Sequence, residues 1–112
     1  MTENGERLTI DLLYFNGCPS YRQAWNDILD LLVEEKIDAS VRLFAVENLE
    51  RAHELSFAGS PTIKVNGQDL EDYQGDGVMA CRMYQENNGK GWPSKKLLGE
   101  KIRNALYHHA AD

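Results

Sequence analysis

The stretch "GSPTIKVNGQD", residues 59–69, carries the strongest local structural signals in the chain. The runs "TIKV" and "QDLED", residues 62–65 and 68–72, flank the dipeptide Asn66-Gly67. An Asn-Gly pair between two such runs is typical of the two-residue turn of a β-hairpin. We therefore predict two antiparallel strands here, the first of them opened by Ser60-Pro61.

Two further strands are predicted towards the amino end. Residues 7–15, "RLTIDLLYF", are apolar and rich in β-forming residues, as in a buried strand. Residues 39–46, "ASVRLFAV", form the second, with Val41, Leu43 and Ala45 alternating along it. Because a helix joins these two strands, we expect them to run parallel with a right-handed crossover. With the hairpin they give a mixed sheet of four strands.

Three helices are predicted. The first spans residues 19–36, with apolar residues at helical spacing and Pro19 in its first turn, where a missing N–H is no loss. A short helix covers about residues 47–55, and the last runs from about 94 to 108, where Ser94 can cap it. The predicted order is β-α-β-α-β-β-α, an α/β domain.

Residues 73–93 separate the last strand from the last helix. This insertion is glycine-containing and long for a structureless loop in a compact domain. Its apolar part, "VMACRMY", is expected to pack as a short strand or a turn of helix.

Composition limits the kinds of protein. The chain has 112 residues, which suits one domain, 1–112, with a polar amino-terminal tail, residues 1–6. A formal net charge of -6 argues against a nucleic-acid partner. No apolar run approaches the roughly 20 residues needed to span a bilayer, and the start lacks the apolar part of a signal peptide. We expect a cytoplasmic protein without a membrane partner.

Cys18, in "NGCPSY", residues 16–21, admits three interpretations: a reactive thiol, a metal ligand or a small apolar filler. Its predicted place at the amino end of a helix favours the first. Unpaired backbone N–H groups and the helix dipole favour negative charge there, which lowers the pKa of a cysteine. Cytosolic thiols are kept reduced, so we expect any pairing of the two cysteines to be chemical rather than architectural.

Metal binding has weaker support. Two cysteines offer two soft ligands, which suit Hg(II) or Cu(I) but not a closed zinc site. The sequence has no C-x-x-C or H-x-x-x-H spacing. We therefore assign no metal site and no cofactor.

Cys81 lies within the insertion. If the strand that opens at Pro61 begins beside Cys18, it runs away from Cys18 and the hairpin brings the chain back. The nine residues from Asp72 to Cys81 can span up to about 30 Å. Cys81 can therefore reach Cys18 as a resolving thiol, or it can simply fill an apolar position, and both interpretations stay open.

Cys18-Pro19 at the first helix and Ser60-Pro61-Thr62 at the third strand resemble the thioredoxin fold, over nearly the whole chain. The resemblance implies a cis bond at Pro61, facing Cys18. "YFNGCPSY", "GSPTIKVNGQD" and "CRMY" are also similar to a group of small bacterial thioredoxin-like proteins. Some of these carry selenocysteine at the position of Cys18, and some are described as alkylmercury lyases. The lyase activity is not carried over, because no acid is placed to protonate a carbon leaving group.

One position departs from the thioredoxin pattern. Tyr21 stands where C-x-x-C has its second cysteine, so the usual disulfide of that motif cannot form. Tyr21 could donate a hydrogen bond to a thiolate or pack on the helix, and packing is favoured. Asp11 lies on the strand where thioredoxins keep a buried carboxylate, but a solvent-facing or edge position is favoured.

The resemblance implies a thiol oxidoreductase that uses Cys18, resolved by Cys81 or by an external thiol. Its substrate would be an oxidised thiol or a peroxide, bound near Ser60, Pro61, Tyr21 and Pro19. A small thiol or a partner protein would be the reductant. The alternative is a non-catalytic module that binds a soft metal ion or a peptide.

Overall fold

The structure, a computed structural model, describes residues 8–111, with side chains as far as residue 106. The predicted polar tail, residues 1–6, lies outside this range. The described chain is mixed α/β, and a 3₁₀ helix, Gln85–Asn87, lies between its last strand and its last helix. The other elements are β1 (Leu8–Tyr14), α1 (Tyr21–Glu34), β2 (Ala39–Ala45), α2 (Leu49–Glu54), β3 (Thr62–Val65), β4 (Gln68–Asp69) and α3 (Lys95–Ala111).

The four strands form one mixed sheet in the order β2-β1-β3-β4. β1 pairs in parallel with β2 and antiparallel with β3, and β3 pairs antiparallel with β4. The parallel first pair and the hairpin predicted from the sequence are confirmed. Asn66 and Gly67 both have positive φ, 52° and 83°, which the tight turn of such a hairpin requires.

The alternation of β1 divides the apolar core between the two faces of the sheet. Leu8, Ile10 and Leu12 belong to the larger cluster, which also includes residues of α1 and α3. Leu13 points the other way and packs in a smaller cluster with Val46, Ala52, which lies in α2, and Phe57. Successive side chains of a strand point to opposite faces, so one strand serves both clusters. No helix in the described part of the chain is long and apolar enough to cross a membrane.

Helix α1 begins at Tyr21, two residues later than predicted. The N–H groups of Arg22 and Gln23 donate to the carbonyl oxygens of Pro19 and Ser20, at 3.1 and 3.2 Å. These are three-residue turns rather than the four-residue bonds of an α-helix. Cys18 and Pro19 therefore lie just before the helix and not within its first turn.

Strand β4 is shorter than the predicted run, residues 68–72. The carboxylate of Asp69 accepts hydrogen bonds from the N–H groups of Glu71 and Tyr73, at 2.8 and 3.2 Å. These local bonds turn the chain out of the sheet. Strand β2 was predicted with the right bounds to within a residue, but it is an edge strand, and Leu43 on it is 43% exposed.

Candidate functional site

The sulfur atoms of Cys18 and Cys81 are joined in a disulfide, with the two Cα atoms 5.8 Å apart. This separation is in the ordinary range for a disulfide. The two cysteines are 63 positions apart in the sequence. Of the two interpretations left open for Cys81, the structure supports the one in which it reaches Cys18.

The loop that carries Cys18 is tied to the end of β1. The N–H of Cys18 donates to the carbonyl oxygen of Phe15 at 3.2 Å, and the N–H of Phe15 donates to Ser60 Oγ at 3.2 Å. A Cβ on Gly17 would lie 2.5 Å from the ring of Phe15. Gly17 thus makes room for this ring. The hydrogen bonds through Phe15 connect the Cys18 loop with Ser60.

The Ser60–Pro61 peptide bond is cis, as the resemblance to the thioredoxin fold implies. Residues 77–84, which we call the covering segment, run beside this bond. The N–H of Ser60 donates to the Ala80 carbonyl oxygen at 2.8 Å, and the Ser60 carbonyl oxygen accepts from the N–H of Arg82 at 2.9 Å. Cys81 thereby lies opposite Ser60 in a parallel β-bridge.

The start of the covering segment also contacts the chain near α2. The N–H of Val78 donates to the Phe57 carbonyl oxygen at 2.8 Å. The preceding residue, Gly77, lies against α2, where a Cβ on it would collide with the backbone carbonyl group of Ala52. Only glycine allows so close an approach of two backbones. The covering segment is therefore seated against residues 57–60 along several of its residues.

Arg82 holds the covering segment by charge. Its two terminal nitrogens donate to the two carboxylate oxygens of Asp69, at 2.7 and 2.8 Å, and one of them also reaches Glu71 Oε1 at 3.0 Å. The side chains of Arg82 and Asp69 are only 8% and 1% exposed. A bidentate Arg–carboxylate pair of this kind is strong and directional. It fixes the residue directly after Cys81.

The pair shifts the ionisation of both partners. Burial alone would raise the pKa of Asp69, but the hydrogen bonds and charge of Arg82, with the N–H groups of Glu71 and Tyr73, outweigh it and lower that pKa. Burial alone would lower the pKa of Arg82, but its contacts with Asp69 and Glu71 prevail and raise it. Each partner therefore keeps the other charged.

Tyr84 closes the far end of the covering segment. Its side chain is fully buried, and its hydroxyl donates to the Pro61 carbonyl oxygen at 2.6 Å. The guanidinium of Arg82 lies 4.7 Å from the centre of its ring, within range of a cation–π contact. Burial raises the pKa of this phenol, so Tyr84 stays a neutral donor.

The remaining residues predicted for the site are placed around the disulfide. Ser60 and Pro61 are buried, and Pro19 is exposed. Tyr21 is half-buried and stacks on Tyr14 with ring centres 4.1 Å apart, in line with the packing interpretation. Asp11 forms a 2.8 Å ion pair with Arg42, its partner across β1 and β2. β1 is an inner strand of the sheet, so Asp11 does not lie at an edge as expected, and its side chain beside Arg42 is 15% exposed.

Among the described residues, no group of three or more His, Cys, Asp or Glu side chains could hold a metal ion. The site is built from two sulfurs, the backbone of Ser60 and the side chains that anchor the covering segment.

Asp69, Arg82 and Tyr84 belong to the site but were not predicted from the sequence. A signal for Arg82 does exist, since it is the one charged residue within the apolar run "VMACRMY". The acidic run "QDLED" shortly before it supplies the complementary charge. A charged residue inside an otherwise apolar run calls for a buried partner.

Neither a comparison with models of protein families nor one with curated proteins finds a match to this chain. The Cys18–Cys81 site itself is therefore the basis for assigning a function.

Proposed function

We propose that the protein is a thiol–disulfide oxidoreductase with a thioredoxin-like fold, in which Cys18 and Cys81 cycle between a disulfide and two thiols. The observation that carries the proposal is the disulfide itself, which lies between the start of α1 and the buried Ser60-Pro61. The mixed four-stranded sheet, in which β1 ends and β3 begins beside this disulfide, supports the thioredoxin-like assignment.

The chemistry needs no bound cofactor, because the two thiols carry the two electrons. In the dithiol state one thiolate attacks an oxidised sulfur or a peroxide oxygen, and the leaving group takes a proton. The other cysteine then displaces the attached group and restores the disulfide. A small thiol or a partner protein returns the protein to the dithiol state. In a cytoplasmic setting, which the sequence favours, glutathione is the abundant small thiol.

The proposal is tested by equilibrating the protein in glutathione buffers of graded oxidation and measuring its mass after acid quenching. We expect wild-type monomer to pass reversibly between a form with two free thiols and a form with none. Cys18→Ser and Cys81→Ser should lose this transition and instead form mixed disulfides with glutathione. A Cys18–Cys81 disulfide that stays intact over the whole range, even at neutral pH with excess thiol, would contradict a redox cycle and leave a structural cross-link.

A second candidate is a module that binds a soft metal ion. The two sulfurs are brought together on Cα atoms only 5.8 Å apart, which suits two-coordinate Hg(II) or Cu(I) once the disulfide is reduced. Titrating the reduced protein with Hg(II) and with Cu(I) separates the two functions. Tight binding of one ion per chain, together with no turnover of disulfide or peroxide substrates, would favour the metal-binding module.

A further inference from the structure

The two cysteines of the disulfide differ in their access to solvent. Cys18 is only 1% exposed, whereas Cys81 belongs to the exposed residues of the covering segment. Its neighbour Ala80 is exposed as well, and Met83 is 64% exposed. A thiol that approaches from solvent therefore meets the Cys81 side of the disulfide.

The two cysteines also differ as leaving groups. Thiol–disulfide exchange depends on which sulfur is attacked and is faster when the thiol that leaves has a lower pKa. Attack on Cys81 releases Cys18, which lies three residues before Tyr21, the first residue of α1, on the side where the helix dipole favours negative charge. Attack on Cys18 would release Cys81 from an irregular segment without that help. Access is the stronger of the two differences, because the burial of Cys18 opposes a thiolate.

We propose, on the basis of the redox function proposed above, that Cys81 is the cysteine that exchanges with external thiols and that Cys18 is the internal resolving cysteine. An external thiolate attacks Cys81 Sγ and forms a new S–S bond to it. The Cys18–Cys81 bond breaks, and its electron pair stays on Cys18 as a thiolate. A second external thiolate then attacks the external sulfur of the mixed disulfide and releases Cys81. Two thiols are oxidised to one disulfide, and the protein disulfide is reduced to a dithiol.

The same path runs backwards when the reduced protein acts on a disulfide substrate. Cys81 forms the mixed disulfide, and Cys18 attacks Cys81 Sγ to release the substrate thiol. This order is the opposite of the one expected from the sequence, in which Cys18 attacks first. The reason is the covering segment, which leaves Cys18 buried and brings Cys81 to the surface.

The anchors of the covering segment keep the mixed disulfide within reach of Cys18. In the disulfide-bonded structure the N–H of Arg82 donates to the Ser60 carbonyl oxygen at 2.9 Å, and its side chain donates to Asp69 at 2.7 Å. The Tyr84 hydroxyl donates to the Pro61 carbonyl oxygen. None of these contacts involves a sulfur, so we expect them to persist when the Cys18–Cys81 bond breaks. Arg82 and Asp69 are therefore positioning residues that hold Cys81 opposite Ser60 while its sulfur exchanges.

The first test compares Cys18→Ser with Cys81→Ser in their reduced forms. Each variant has one thiol, and its reaction with a chromogenic aromatic disulfide, dithiobis-nitrobenzoate, is followed at neutral pH. We expect the thiol of Cys18→Ser to react faster by about ten-fold or more, because a buried thiol reacts only while the segment above it is open. In denaturant the two rates should become similar. A faster native reaction of Cys81→Ser overturns the assignment.

The second test uses oxidised wild-type protein, which does not depend on how a variant folds. The protein is treated briefly with reduced glutathione, quenched in acid, and mapped by peptide mass spectrometry. Glutathione on Cys81 supports the assignment, and glutathione mainly on Cys18 overturns it. If the wild-type disulfide resists glutathione but Cys18→Ser still reacts faster, the redox function fails while Cys81 remains the accessible sulfur. If the wild type turns over and Cys81→Ser reacts as fast as Cys18→Ser, the function stands and the assignment fails.

Discussion

Strand β2 and the covering segment are attached to the rest of the molecule by different kinds of contact. β2 is a regular seven-residue strand, paired with β1 along its whole length, yet its residues are half-buried or exposed. The covering segment has one isolated β-bridge to Ser60, but it buries Arg82 and Tyr84 to 8% and 0% exposure. Regular secondary structure and depth of burial are therefore separate properties in this protein.

The difference lies in the kind of contact. β2 is attached mainly by backbone hydrogen bonds to β1. Its ion pair, from Arg42 to Asp11, is partly open to solvent, because the Arg42 side chain is 54% exposed. The covering segment makes three backbone hydrogen bonds with residues 57–60, and in addition a disulfide, a buried ion pair and a buried tyrosine hydroxyl attach it. An irregular segment that carries one cysteine of the disulfide can thus be held in place largely by side chains.

The largest change in the free energy of unfolding is expected on reduction of the disulfide. The bond closes a loop with a sequence separation of 63, and loss of such a cross-link lowers the free energy of unfolding by about 4 kcal/mol in the chain-entropy account. Denaturant unfolding of wild-type protein, with and without reductant, measures it. The double variant Cys18→Ser/Cys81→Ser is the control and should not respond to reductant. An unchanged midpoint for the wild type would mean that the covering segment adds nothing by its covalent bond.

The next effect compares the two ion pairs. Asp69→Asn leaves Arg82 without its buried bidentate partner, and we expect it to lower the free energy of unfolding by about 3 kcal/mol. Asp11→Asn, the matched control on β1, removes an exposed pair with Arg42 and should cost less than about 1 kcal/mol. Both are read from denaturant unfolding of the oxidised proteins. Equal losses in the free energy of unfolding would mean that the buried pair of Arg82 stabilises the protein no more than the pair of Arg42.

A smaller effect is expected from the close backbone contact of the covering segment. Gly77→Ala should lower the free energy of unfolding by about 1–3 kcal/mol, because its Cβ would strike the Ala52 carbonyl group and force the backbone apart. Gly75→Ala is the control, since its Cβ would meet only the end of the Tyr73 side chain, with the hydroxyl oxygen 2.8 Å away, and no backbone atom. Thermal unfolding of the two variants should separate them. If Gly75→Ala is as damaging as Gly77→Ala, the contact with α2 is not what seats the segment.

The smallest effect is expected from acid. The pKa of Asp69 is lower in the folded protein than in the unfolded chain, so its stabilising contribution is present above the unfolded value, about 3.9, and is lost as pH falls through the folded value. Wild-type protein should therefore lose more stability than Asp69→Asn below about pH 4. Unfolding midpoints measured from neutral to acid pH for both proteins give the comparison. Parallel curves would show that Asp69 does not carry this acid sensitivity.

Much of the sheet could be predicted because its signals are local. Asn66-Gly67 specifies its own turn, and the apolar runs around it specify strands, so the hairpin and the parallel first pair follow from neighbouring residues. The predicted end of the last strand was wrong because the Asp69 carboxylate takes nearby N–H groups that a longer strand would use. The exposure of Leu43 was missed because the pattern of one strand does not reveal that it lies at an edge.

The site was predictable only in part for a related reason. Cys18, Ser60 and Pro61 stand next to helix and strand boundaries, which a sequence pattern can locate. The partners of the covering segment depend on pairing over long distances, such as Arg82 with Asp69 and Tyr84 with Pro61. The periodicity of apolar residues does not indicate such long-range pairs. Only the charge of Arg82 within an apolar run indicates that a partner is needed.

The placement of the disulfide also has a mechanical consequence. A chain pulled from its two ends can lengthen only by residues that lie outside a covalent ring. The ring closed by Cys18 and Cys81 spans a separation of 63 residues and contains α1, β2, α2 and the hairpin, while β1 and α3 lie outside it. About 210 Å of contour length is thus hidden in the oxidised protein and released on reduction. The oxidation state of one bond sets how far the whole molecule can be stretched.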